Sequence, residues 1–159
     1  SAQTRYPPIC IEAGRVMVLN PKQFPRFDTD PDFEGEHAFK REDSDGSTRR
    51  MSYVDTPSGR LLYKVNTGPE GFYADVSHDS GTKTLGFIHG PGAAVDEPGG
   101  IPIAMVNTDK NYQRLGIATQ LLRLARQNMP EGAPPIVHSR SLLDDGEKWV
   151  EGLKRKGVD

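Results

Sequence analysis

Cysteine is almost missing from the sequence, since Cys10 is the only one among 159 residues. A single cysteine excludes an internal disulfide framework and a metal site built from several cysteines, so we expect no metal. Long apolar runs are missing too: no stretch reaches the roughly 18 apolar residues that a membrane helix needs, and no secretion signal is recognisable. The net charge of -2 argues against nucleic acid and anionic membranes as partners. These absences together predict a cytoplasmic protein.

The sequence does contain enough apolar material for one core. Apolar side chains make up 35% of the residues, which together with the length predicts a single domain over residues 1–159. Residues 28–50 are dense in charge and follow neither the helical nor the strand period, so we expect a long charged surface loop there. A solvated face is its simple interpretation, and attraction of a cationic acceptor is the functional alternative.

The remaining pattern predicts several antiparallel strands followed by a strand–helix–strand–helix order. Turn residues at 56–59 and 78–82 indicate two hairpins, formed by strands at 51–55 and 60–66 and by strands at 71–77 and 83–89. Further short strands are expected at 9–11, 15–19, 103–106 and 136–139, and helices at 115–128 and 144–156. This order predicts an α+β fold with a mixed, mostly antiparallel sheet and one βαβ unit, and hence one parallel pair of strands.

The stretch that joins the strand at 103–106 to the helix after it carries the chemistry. A polar turn that opens an amphipathic helix places the first helical N–H groups, which lack intrahelical partners, at the positive end of the helix dipole. Gly116 and Ala118 are small enough for an anion to approach the backbone, and Gln113 and Arg114 could add side-chain donors. The simpler alternative is that the small residues only pack the helix start against the sheet. No Walker pattern is present, so a nucleotide P-loop is not indicated.

The run Gln113-Arg114-Leu115-Gly116-Ile117-Ala118 resembles the Q/R-x-x-G-x-G/A signature of the GNAT-type N-acetyltransferase superfamily. The order of elements over residues 71–158 also looks like that of the family. The resemblance implies an acetyltransferase-like fold and acetyl-CoA as co-substrate, with the acetyl group passed to an amine by direct attack in a ternary complex. It also implies which residues hold coenzyme A, beside the pantetheine arm or around the pyrophosphate: Val106, Asn107, Thr108, Gln113, Arg114, Leu115, Gly116, Ile117, Ala118 and Thr119.

Two departures from the family pattern indicate a fold reduced at both ends. Residues 20–50 carry no convincing amphipathic helix where the family has helices, and the chain stops at Asp159 where the family continues with strands. We therefore expect the acceptor side to be reduced, rebuilt from the charged loop or completed by a partner chain. An unfinished sheet edge would favour a homodimer.

Direct attack by an amine needs a base for the ammonium and an acid for the departing thiolate. The resemblance places Leu153 where many family members have a tyrosine acid, so other residues must be considered. His138 and Ser139 end the predicted strand after the signature helix and face the expected cleft. His89 ends the strand before a Gly/Pro-rich loop and has a pKa range suited to a base. Each also has a structural interpretation, as a strand-end histidine or a helix-entry hydroxyl, and water could carry the proton instead.

The sequence thus predicts an acyl-CoA-dependent N-acyltransferase whose acceptor amine belongs to a small molecule or a protein. The alternative is a catalytically degenerate acetyltransferase-like module that binds a protein or a ligand. A third hypothesis is a phosphate-recognising α+β domain unrelated to acyl transfer. The residues alone leave the identity of the acceptor open.

Overall fold

Strands dominate the described part of the chain. The computed structural model describes residues 9–12, 15–18, 27, 30–56, 59–79, 83–91, 99–138 and 153. The elements are β1 (Ile9–Glu12), β2 (Arg15–Val18), β3 (Ala38–Glu42), β4 (Thr48–Thr56), β5 (Gly59–Thr67), β6 (Phe72–His78), β7 (Thr84–Gly90), β8 (Ile101–Pro102), β9 (Met105–Thr108), α1 (Ile117–Asn128) and β10 (Ile136–Val137). Together they form a mixed α+β fold with a mostly antiparallel sheet, as the sequence predicts.

The main sheet has six strands in the order β3-β4-β5-β6-β7-β9, and each neighbouring pair is antiparallel. Two of its hairpins are the predicted ones, because β4 returns into β5 and β6 pairs with β7. The Thr56 hydroxyl donates to the carbonyl oxygen of Gly59 at 2.6 Å and closes the first of them. β1 and β2 pair in a separate two-stranded sheet, which confirms the two strands expected near the start of the sequence.

The prediction of a long charged loop at 28–50 is wrong for its second half. Ala38–Glu42 form β3, and β4 begins at Thr48, so a hairpin occupies this stretch. Its turn is held by the Asp45 carboxylate, which accepts from the Ser47 N–H at 2.8 Å. The pattern hides the strand because β3 is an edge strand whose residues are almost all exposed, so no alternation of apolar and polar residues marks it.

The core lies between one face of the main sheet and α1. Alternate residues of β5 and β6 face it, and Leu121, Leu122 and Ala125 of α1, within the helix predicted over 115–128, are fully buried there. Burying one leucine in this way contributes roughly 1.5–3 kcal/mol relative to leaving it exposed. Leu153 is helical and 1% exposed in the same core. The rest of the helix predicted at 144–156 lies outside the described residues.

A buried polar pair fixes α1 on the sheet. The Tyr63 hydroxyl of β5 donates to Gln120 Oε1 at 2.6 Å, and both residues are 1% exposed. Burial raises the pKa of Tyr63, so the phenol remains a donor. The Gln120 amide donates in turn to the Asp30 carboxylate at 3.4 Å, and Arg123 pairs with the same carboxylate. The segment at Asp30 is therefore tied to α1 through Gln120 and Arg123.

The parallel pair expected from the βαβ unit is present, but it forms a short sheet of its own. β10 pairs with β8, with Ile136 opposite Ile101, and α1 lies between these two strands in the sequence. The buried strand predicted at 103–106 is wrong in detail: β8 ends at Pro102, β9 begins at Met105, and Met105 is 51% exposed. This interruption positions the candidate site.

Candidate functional site

The strand segment that leads to α1 changes its partner along its length. Ile103 donates its N–H to the carbonyl oxygen of Val137 at 2.9 Å, the last such bond towards β10 among the described residues. From Met105 onward the segment is β9, which pairs with β7. Because alternate residues turn their backbone groups to opposite edges of a strand, half of those of β9 point away from β7. Beyond Ile103, β9 is paired with β7, while β10 is paired with β8. We call the place where β9 and β10 part the split.

A tight turn joins β9 to α1. The Asp109 carboxylate accepts from a backbone N–H two residues further on, at 3.0 Å, and starts a 3-10 turn over Lys110–Tyr112. Lys83, beside the β6–β7 hairpin, lies 3.3 Å from the same carboxylate. The buried ring of Tyr112 packs edge-on against His78, with 6.2 Å between the ring centroids. These contacts hold the turn against the end of the main sheet and give Tyr112 a structural role.

Two left-handed residues lead from this turn into α1. Arg114 has a φ of 66° and Gly116 a φ of 91°, and Gly116 is the N-cap of the helix. This φ region favours glycine, so the backbone conformation explains Gly116, whereas Arg114 adopts a conformation uncommon for a residue with a side chain. Between them, the carbonyl oxygen of Leu115 accepts from the Phe27 N–H at 2.9 Å. This bond orients the turn relative to the core.

The start of α1 suits an anion. The Gln120 N–H donates to the Gly116 carbonyl oxygen at 2.9 Å, so the N–H groups before it stand outside the helical ladder, at the positive end of the dipole. Within the described residues, the first turn has no acidic side chain and no side-chain cap. Gln113 and Arg114 are exposed beside it. A phosphate group here would meet backbone donors and a positive charge.

All the residues predicted to hold coenzyme A lie in this continuous strand–turn–helix segment. Their side chains differ in what they can offer. Val106 and Leu115 are apolar and partly buried against the core, and Ile117 is 2% exposed, so these three offer a ligand polar contacts only through their backbone. The other side chains that reach solvent at least in part are those of Asn107, Thr108, Gln113, Arg114, Ala118 and Thr119.

The structure places two of the three predicted catalytic residues near the split. His89 is half-buried on β7, directly opposite Met105. His138 is half-buried and follows β10, which ends at Val137 and not at the predicted residue 139. His138 thus follows one strand of the split, and His89 lies one strand beyond the other. Ser139 lies outside the described residues.

The face of the main sheet opposite α1, called the open face below, carries an aromatic row of the partly exposed residues Tyr73, Phe87 and His89. The ring centroids of Tyr73 and Phe87 are 6.4 Å apart with 16° between the ring planes, and those of Phe87 and His89 are 6.0 Å apart with 8°. Met105 continues the row on β9, next to the split. The row therefore runs from the middle of the sheet to the place where β9 and β10 part.

A buried carboxylate adjoins the aromatic row. Asp75 is 8% exposed and lies opposite Phe87, and its Oδ2 accepts from the Tyr73 hydroxyl at 2.6 Å. Its Oδ1 is buried and accepts no hydrogen bond from the described residues. Burial raises the pKa of Asp75, while the Tyr73 hydrogen bond and the charge of Lys64 lower it by less. Leaving a buried acceptor unsatisfied costs about 1–3 kcal/mol, so this oxygen is a candidate position for an ordered water or a ligand.

The sequence reasoning missed this cluster, although one signal for it was available. Residues 72–78 alternate along β6, and the apolar side chains of Phe72, Ala74 and Val76 face the core. That alternation leaves Tyr73 and Asp75 together on the other face. The register that places Asp75 opposite Phe87 could not be read from the sequence, because two strands separated by a loop determine it.

Comparison of the chain with protein-family models, with curated proteins and with solved structures finds no match. In the described part of the chain, no group of three or more His, Cys, Asp or Glu side chains could hold a metal ion. No helix there has the length and apolar character needed to cross a membrane. Any functional assignment therefore depends on the geometry of the split, the turn and the open face.

Proposed function

We propose that the chain is an acyl-CoA-dependent N-acyltransferase of the GNAT type, which transfers an acetyl group to an amine. One observation carries the proposal. The segment that parts from β10 after Ile103 leads directly into a left-handed turn and the start of α1, whose N-cap is Gly116. A split strand edge followed by an anion-binding helix start fits a ligand with a linear amide-containing arm and a pyrophosphate.

The two halves of this segment would bind the two halves of coenzyme A. The outward backbone groups of β9 would bond to the amides of the pantetheine arm, in the manner of an added strand. The N–H groups at the start of α1, with Gln113 and Arg114 beside them, would receive the pyrophosphate. The thioester would then lie near Ala104, where the strand leaves β10.

The residues around the split have defined tasks in acyl transfer. Acetyl-CoA supplies the acyl group as a thioester. Attack of the amine nitrogen on the carbonyl carbon forms the amide bond and breaks the carbon–sulfur bond. The nitrogen loses a proton and the thiolate gains one. His89 and His138 are the described side chains suited to move these protons, directly or through water. The Ile103 and Ala104 N–H groups already donate to the carbonyl oxygens of Val137 and His89, so an outward N–H of β9 would stabilise the negative charge on the carbonyl oxygen.

The test is calorimetric titration with acetyl-CoA, using substitutions at Gly116 that separate charge from backbone strain. Asp and Asn both tolerate a left-handed φ and have nearly the same shape. We expect Gly116→Asp to weaken binding at least about tenfold relative to Gly116→Asn, because only the former places a carboxylate beside the phosphates. Gly132→Asp is the matched control, since Gly132 has a φ of 83° and open space around its Cβ.

The outcomes distinguish the alternatives. Binding that is lost in Gly116→Asp and kept in both other variants would support the proposal. Screening of amines for release of free thiol would then establish acyl transfer. Binding without thiol release from any amine would support a module that holds coenzyme A without catalysis. If the wild-type chain does not bind acetyl-CoA, the proposal is wrong.

A further inference from the structure

The open face holds a second feature that the coenzyme A site does not use. Asp75 is buried with one carboxylate oxygen unpartnered among the described residues, directly beside the aromatic row. The pairing of β6 with its neighbours uses backbone groups and does not require a carboxylate at position 75. We propose that the aromatic row, with Asp75 as its counter-charge, is a binding site for an alkylammonium ion.

Electrostatics favour a cation over other ligands. The faces of aromatic rings carry negative potential and attract a cation within about 6 Å of the ring centroid. The buried carboxylate strengthens that potential, because little water screens it. The Tyr73 hydroxyl donates its proton to Asp75 and leaves its oxygen lone pairs for an ammonium N–H. The Asp75 carboxylate is buried, so a bound ammonium ion would contact the aromatic rings and the Tyr73 oxygen and would be attracted by the carboxylate from a distance.

The residues around the aromatic row determine where a bound cation lies and what kind of chain it carries. Lys64 lies opposite Asp75 on β5, on the side away from Phe87. Its charge keeps a bound cation towards the β7 side of the face. Met105, at the end of the row near the split, is 51% exposed and offers an apolar contact. A primary ammonium on a flexible apolar chain fits this arrangement, with the chain along Met105.

The amine bound at this site would be the acceptor for acyl transfer, and this part of the inference rests on the proposed function. The binding of an alkylammonium ion by the aromatic row and Asp75 does not rest on it. His89 lies in the row and beside the split, so an amine held here is one strand from β9. The two proposals therefore make separate claims about separate ligands and can fail separately.

The probe is hexylamine, which is protonated at pH 8, with 1-hexanol as the neutral analogue of the same length. Binding is followed through the methyl carbon of Met105 by NMR, in protein labelled at methionine methyl groups and assigned with Met105→Leu. We expect saturable shifts of this signal with hexylamine and at least about tenfold weaker binding of hexanol. Asp75→Asn, which keeps the shape and an acceptor for Tyr73, should weaken hexylamine binding by a similar factor.

Controls keep the two proposals apart. Glu70→Gln removes the same charge from an exposed position between β5 and β6, and should bind hexylamine like the wild type. Titration of acetyl-CoA into Asp75→Asn should give the wild-type affinity, which also shows that the variant is folded. Equal binding of hexylamine and hexanol, or of hexylamine by wild type and Asp75→Asn, would overturn the ammonium site. Hexylamine binding without acetyl-CoA binding would leave this site intact and refute only the acyltransferase.

Discussion

Gly86 of β7 is a place where α1 approaches the sheet very closely. A Cβ at this residue would lie 2.6 Å from Ile117 Cγ2 and 3.2 Å from the carbonyl oxygen of Asn107. The isoleucine methyl is on a β-branched side chain that is stiff in a helix, and Ile117 is 2% exposed. Neither neighbour can move aside cheaply. We expect Gly86→Ala to lower the free energy of unfolding by about 1–3 kcal/mol, the usual cost of overpacking.

A double-mutant cycle tests the physical reason. Ile117→Ala removes the crowded methyl and should by itself cost about 2–5 kcal/mol through the cavity that it leaves. In the double variant, the new methyl at position 86 occupies part of that cavity. The combined cost should then be smaller than the sum of the two single costs by about 1–2 kcal/mol.

The assay is urea unfolding at 25 °C followed by circular dichroism. Ile117→Ala combined with Gly132→Ala is the control cycle, because a Cβ at Gly132 meets nothing within 4 Å, and it should be additive within about 0.5 kcal/mol. Additive costs for Gly86 and Ile117 would refute the reasoning that they compete for one space. Gly86→Ala should also weaken acetyl-CoA binding, since displacement of Ile117 moves the start of α1.

Three further outcomes are expected. Tyr63→Phe should lower the free energy of unfolding by about 1–3 kcal/mol, because Gln120 Oε1 loses its buried donor, while Tyr53→Phe at a 37% exposed position should change it little. Gly90→Ala should abolish the cooperative transition in a thermal melt, because its Cβ would overlap the carbonyl oxygen of Pro102, a backbone atom. Burial raises the pKa of Asp75 from its ordinary value of 3.8, so the folded state binds its proton more tightly and this group's contribution to stability falls as pH rises through the window above 3.8. Asp75→Asn should remove that slope in unfolding experiments across the window, and an unchanged slope would contradict the assignment.

The hairpins and the helix could be predicted because local chemistry determines them. Thr56 lies opposite Gly59 at the end of the β4–β5 pair, next to the predicted turn, and the apolar stripe of α1 follows the helical period. The helix begins at Ile117, two residues later than predicted, because Arg114 and Gly116 take left-handed conformations first. A stripe of apolar residues gives no information on such backbone angles.

The missed features depend on neighbours that are distant in the sequence. β3 is a charged edge strand, so burial does not mark either of its faces. The pairing of β10 with β8, and not with β9, places the split after Ile103, and no short pattern encodes that choice. Asp75 becomes notable only when the register places it opposite Phe87 and its burial and hydrogen bond with Tyr73 are known. The elements that local patterns determine were therefore accessible from the sequence, whereas the edge strand β3 and the shape of the site were not.

The β8–β10 pair is so short that it should open locally more easily than the main sheet. Each of these strands is two residues long, whereas β4 and β5 are nine residues long each and run the full length of one another. Amide hydrogens at Ile101 and Ile103 should exchange with solvent far faster than those at the centre of β5, because breaking so short a seam exposes little surface. A guest molecule could therefore widen the gap between β9 and β10 while the six-stranded ladder remains closed.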